Sequence, residues 1–97
     1  MRILPDEVEI VGDWIVVGGQ VEGDPNCERI EELISKHLRE IARTSGGWET
    51  LYLDPSDNRL WELSYPKGEM HGGGPPRLRW LSKDEASKKY GNQVLAG

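Results

Sequence analysis

Two segments rich in aromatic and aliphatic residues, Trp48 to Asp54 and Arg59 to Tyr65, are separated by the turn-forming run Pro55-Ser56-Asp57-Asn58. No other feature restricts the fold as much. Extended segments on either side of a four-residue turn predict an antiparallel hairpin, and that loop length sets Asp54 opposite Arg59. Once the register is fixed the faces follow, because successive side chains on a strand point to opposite sides. Trp48, Thr50, Tyr52, Trp61, Leu63 and Tyr65 form one face, and Glu49, Leu51, Leu53, Leu60, Glu62 and Ser64 the other. The aromatic face is the one expected to pack on a helix.

That helix is expected upstream. Asp24 can accept an orphan amide hydrogen bond as an N-cap, and Pro25 suits the first helical position. From there Cys27, Ile30, Ile34, Leu38 and Ile41 recur at three- and four-residue spacing, while Glu28, Glu32, Lys36, Arg39 and Arg43 cover the opposite side. The pattern predicts one long amphipathic helix that ends at Gly46-Gly47. Before it, Trp14 to Val17 and Gln20 to Glu22 flank Gly18-Gly19, a small hairpin whose glycines supply positive φ angles. After the central hairpin, Arg77 to Leu81 reads as a short strand. Ser82 with Glu85 makes a capping-box start to a last helix, which Gly91 closes, and 92–97 reads as a loose tail. The sum is an α+β fold: a small antiparallel sheet of about five strands packed on one long amphipathic helix, with a short C-terminal helix. The 97 residues suit a single domain over 1–97 with its core over about 12–91.

A formal net charge of -5 and a pI near 5.0 oppose binding to nucleic acid, which rewards clustered Lys and Arg through counterion release. The same surface favours a basic protein partner, chiefly through faster encounter. Cys27 is the single cysteine, so neither an intrachain disulfide nor a thiolate metal cage is expected. The amino terminus has Pro5 and three acids where a signal peptide needs an unbroken apolar run, and no stretch approaches the roughly 20 apolar residues of a membrane span. A cytoplasmic protein with no membrane association is the expectation.

Reactive groups do not assemble into a familiar set. His71-Gly72-Gly73-Gly74 resembles an esterase oxyanion loop, but no Gly-x-Ser-x-Gly nucleophile accompanies it. The same glycines lead into Pro75-Pro76 rather than into Lys-Ser and a helix, which argues against a phosphate cradle. His37, His71 and Cys27 are the soft metal ligands, and His37 does not share a helix face with Cys27; it reads as a hydrogen-bonded, partly buried histidine beside Leu33. Neither a metal nor a cofactor is expected. Glu49 and Glu62 lie on one sheet face on neighbouring strands, which raises acid–base hydrolysis as an alternative. Ion pairing with Arg77 or Arg79 on the next strand is the simpler account, and a face carrying Glu49, Glu62, Ser64 and Arg79 suits a polar protein interface. In a chain without Phe, the four tryptophans read first as core, while any left exposed would mark a partner site.

A series of motifs carries a family resemblance. Cys27-Glu28-Arg29-Ile30-Glu31 with Leu33-Ile34 is followed by Gly46-Gly47-Trp48-Glu49-Thr50-Leu51-Tyr52 with Asp54-Pro55. Then come Trp61-Glu62-Leu63 with Tyr65-Pro66, and His71-Gly72-Gly73-Gly74-Pro75-Pro76. Over roughly Gly12 to Tyr90 the chain resembles the immunity protein 27 family of bacterial polymorphic toxin systems. The resemblance implies a non-catalytic inhibitor that binds and neutralises a cognate toxin domain, with basic nucleases among the toxins that an acidic inhibitor suits. Trp48, Tyr52, Trp61 and Leu63 are then expected in the core. Glu49, Glu62, His71, Gly72, Gly73 and Gly74 are the interface candidates, Leu53 and Leu60 add a small apolar contact at the hairpin tip, and the helix acids Glu28 and Glu32 offer a second surface. Two other readings remain: a small hydrolase using Glu49 and Glu62 or His71, and a regulatory interaction domain unrelated to toxins.

Overall fold

A computed structural model describes residues 3–44, 46–66 and 74–91. The elements in order are β1 (Glu9–Val11), β2 (Trp14–Val17), β3 (Gln20–Gly23), α1 (Pro25–Lys36), β4 (Arg39–Arg43), β5 (Thr50–Leu53), β6 (Leu60–Ser64), β7 (Arg77–Leu81) and α2 (Lys83–Tyr90). Five strands form one antiparallel sheet in the order β1-β7-β6-β5-β4, and β2 and β3 form a separate two-stranded sheet. The fold is α+β, as the sequence predicts, and the sheet has the expected five strands. Its membership differs: β1 and β4 are in it, and the Trp14–Gly23 hairpin is not.

The central hairpin has the register its turn demands. Tyr52 pairs with Trp61 and Leu53 with Leu60, and the Asp54 amide donates to the Arg59 carbonyl at 2.9 Å. Asn58 takes the positive φ, 63°, that closes the turn. The aromatic face packs on α1: Tyr52, Trp61, Leu63 and Leu78 meet Ile30 and Leu33 in one core cluster, which also holds Ile3, Ile10 and Leu38. The opposite face carries a second cluster of Leu51, Leu60 and Leu81 against Ala86 of α2, with Leu53 and Tyr90 partly buried beside it. Leu53 and Leu60 therefore belong to an internal contact with α2 and are not an apolar patch at the hairpin tip.

Both helix starts follow their sequence signals. Asp24 Oδ1 accepts from the Cys27 amide at 2.9 Å with Pro25 at the start of α1. Ser82 and Glu85 form a reciprocal capping box. The long helix, however, is corrected to 12 residues, with Arg39 to Arg43 paired as β4 on the edge of the sheet. Leu33 accepts from both the His37 and Leu38 amides, at 3.0 and 2.7 Å, closing the helix. Beyond it, His37 Nε2 donates to the fully buried Asp54 Oδ1 at 3.0 Å, and Leu38 drops into the core cluster. A strand at 39–43 satisfies the outer edge of β5, which a continued helix would leave unpaired.

Candidate functional site

The eight-residue α2 packs over one end of its sheet face. It shields the Leu51, Leu60 and Leu81 end. Beyond that end the same strands continue with polar side chains, because the pairing sets Glu62 opposite Arg79 and Ser64 opposite Arg77. An open concavity of about 640 Å³ results, floored by Glu62, Ser64, Arg77 and Arg79 and rimmed by Trp48, Glu49, Tyr65, Pro66 and Lys89.

Lys89, in the last turn of α2, organises the charges. Its Nζ lies 2.5 Å from Glu49 Oε2 and 2.8 Å from Glu62 Oε2. Tyr90 donates its hydroxyl to Glu62 Oε2 at 2.7 Å. Glu62 is 3% exposed, so these two bonds replace the water that its carboxylate loses. Burial opposes the Lys89 ammonium, yet the hydrogen bonds to Glu49 and Glu62 outweigh it and raise its pKa. Burial, followed by the bond to Glu62, pushes the Tyr90 hydroxyl well above the usual phenol value, which keeps it a donor. The arginines expected to pair with these acids are engaged elsewhere: Arg77 Nε donates to Glu9 at 2.6 Å, and Arg79 lies 3.6 Å from Glu85. Both carboxylates proposed for acid–base work thus converge on one ammonium, an ion-pair arrangement that locks α2 onto the sheet.

Trp48 is a correction and the most exposed aromatic residue described, at 63%. Its assignment to the core extended strand alternation past the strand. β5 begins at Thr50, and the preceding residues form a turn in which Thr44 accepts from Gly47 and donates to Glu49. Gly47 takes a φ of 74° there, so Trp48 no longer obeys the alternation and stands at the groove rim. Trp61 remains fully buried, with the Arg59 guanidinium 5.0 Å from its ring centre.

The interface candidates divide between the two sides of the sheet. Glu49 and Glu62 share the groove. Glu28, exposed, and Glu32, 3.8 Å from Lys36, lie on α1 across the sheet from it. His71, Gly72 and Gly73, like the tail 92–97, lie outside the described residues. Gly74 is buried with a φ of 73°. Among the described residues, no three His, Cys, Asp or Glu side chains gather as a metal site. His37 is the hydrogen-bonded histidine expected, and Cys27 is buried, which raises its thiol pKa. The sequence does not single out Trp48, Tyr65, Pro66 or Lys89 for the groove, nor Tyr90, which holds Glu62 beside it.

The fold and this face define a small α+β domain that offers an open, mixed-charge groove with an aromatic rim. The chain belongs to the immunity protein 27 family, whose model matches residues 16–82, from β2 to the N-cap of α2. Comparison with curated proteins and with solved structures finds no significant match. The matched stretch includes the groove floor and Trp48, while Lys89 and Tyr90 lie beyond it. No described helix is long and apolar enough to cross a membrane.

Proposed function

We propose that this protein binds and neutralises a cognate bacterial toxin domain in the cytoplasm, without catalysis, and that the groove beside α2 is its principal contact surface. The observation that carries the reading is Trp48, 63% exposed on the rim of a concavity with preorganised charges, in a member of an immunity family. A large aromatic side chain beside fixed ion pairs is the composition of an interface hot spot: its desolvation supplies affinity, and the surrounding charges set orientation. Glu49, Arg77, Arg79 and Lys89 offer both signs of charge. Glu62 acts from below, holding Lys89 and α2 in place rather than reaching a partner.

The test is co-expression with the toxin domain encoded beside this chain, followed by a binding measurement. The wild-type chain is expected to restore growth and to form a stable complex. Trp48→Ala should weaken that complex by about a hundredfold, the scale of one hot-spot truncation, with thermal unfolding unchanged. Failure of the wild-type chain to bind would overturn the functional reading. Binding undiminished by Trp48→Ala would move the contact surface away from this groove.

A further inference from the structure

The β2–β3 ribbon stands apart from the sheet and gathers four exposed apolar β-branched side chains. Ile15 and Val17 are 40% and 50% exposed on one side, and Val16 and Val21 are 73% and 68% exposed on the other, where they pair directly across the strands. A two-stranded hairpin gains little stability by itself, so β-branched residues exposed on both of its faces leave apolar area that folding does not use. Its root is rigid. A Cβ on Gly12 would meet Cys27 Sγ at 2.6 Å, and one on Gly23 would meet Cys27 Cβ at 2.8 Å, so the two glycines let the ribbon close tightly on α1. The Asp24 amide donates to the Asp13 carbonyl at 2.9 Å across the same root. At the other end, Gly18 and Gly19 turn with φ of 59° and 81°, and a Cβ on either would meet nothing within 4 Å.

We infer that the β2–β3 hairpin is a second docking arm for the toxin, its Val16–Val21 face covering an apolar patch rimmed by Lys and Arg on the toxin surface. This rests on the functional reading above. Continuity places it in the same interface: a second concavity of about 280 Å³ shares Pro66 and Arg77 with the groove and reaches Asp13 and Asp24 at the hairpin root. Charge defines the partner. The ribbon's ionisable side chain is Glu22, Asp13 and Asp24 flank its root, and the backbone amide of Cys27, foremost among its hydrogen bonds, lowers the Asp24 pKa despite some burial. An apolar centre with an acidic rim is complementary to an apolar centre with a basic one. A second copy of this chain would bring a like rim and a net charge of -5 against its own.

The experiment measures affinity for the toxin domain encoded beside this chain, using wild type, the double variant Val16→Thr with Val21→Thr, and Trp48→Ala. Threonine keeps the β-branch and the strand preference, and thermal unfolding checks that the fold is unaltered. The threonine pair is expected to weaken binding about tenfold, through the lost apolar burial. If Trp48→Ala weakens binding and the threonine pair stays within about twofold of wild type, the hairpin arm is overturned and the groove stands. If the threonine pair weakens binding and Trp48→Ala does not, the groove falls while the arm stands. Sedimentation that shows a dimer abolished by the threonine pair, with toxin affinity intact, overturns the arm in favour of self-association.

Discussion

Glu62 shows how far a residue can be read before its surroundings are known. Its sheet face was legible from the turn length, and the structure keeps it there beside Glu49. Its burial was not legible, because that depends on where α2 lands and on Lys89 and Tyr90 reaching back from a helix 28 residues away in sequence. Trp48 failed for the complementary reason: alternation holds within a strand, and Gly47 ends it. Glu7 is a further case, an acid in an N-terminal segment that composition marked simply as unlike a signal peptide. Arg29 holds it through two bonds, Nη1 to Oε2 at 2.6 Å and Nη2 to Oε1 at 2.5 Å. The hydrogen bond from Arg29 is the largest cause that lowers the Glu7 pKa from 4.5 to about 2, against the opposing effect of burial. A carboxyl whose folded pKa is depressed contributes stability that is complete above its unfolded pKa and is lost as pH falls through the folded one. The window here runs from about 4.5 down to about 2. Glu7→Gln is therefore expected to cost about 1–2 kcal/mol at pH 7, a value reduced for partial solvent screening. Urea unfolding at a series of pH values should show the two proteins converging near pH 2; a constant gap across the range would mean that Glu7 contributes by packing and not by charge.

Among the elements, those fixed by local chemistry were read and those fixed by tertiary pairing were not. The glycine turn of β2–β3, the Asp24 cap and the Ser82–Glu85 box each follow from a few neighbouring residues. The stretch from Arg39 to Arg43 has a spacing that suits a helix, and the unpaired edge of β5 overrides it. β1 is three residues long and pairs with β7, about 68 residues away in sequence, so no local pattern announces it. The capping box has a consequence for the groove, since α2 supplies Lys89 to its rim. Ser82 Oγ accepts from the Glu85 amide at 3.1 Å, and replacing such a cap by alanine costs about 1 kcal/mol. Ser82→Ala is expected to speed hydrogen exchange of the α2 amides about fivefold while leaving those of β5 and β6 unchanged. Equal acceleration in helix and sheet would show α2 and the sheet opening as one unit, and the groove wall would then have no separate motion.

For the molecule as a whole, charge acts at a range that contacts do not. Seventeen acids against twelve Lys and Arg leave a net charge of -5, yet the described ion pairs along the groove nearly balance, four acids against three bases: Glu49 and Glu62 with Lys89, Glu9 with Arg77, Glu85 with Arg79. Most of the excess negative charge therefore lies elsewhere, and exposed Glu22 and Glu28, on β3 and α1, contribute to it near the hairpin root. Such a field cannot hold a bound complex together through water and salt, since at about 0.15 M it is screened within roughly 8 Å. What it can do, under the proposed function, is orient a basic partner during approach, so that the proposed hairpin arm and groove meet it in one encounter. Stopped-flow association with the proposed toxin partner should then slow about tenfold between low salt and about 0.5 M, while dissociation changes little. The double variant Glu22→Gln with Glu28→Gln should flatten that salt dependence without altering dissociation. An association rate indifferent to salt, or a variant that changes only dissociation, would show that these acids act as contacts and that long-range attraction has no part in forming the complex.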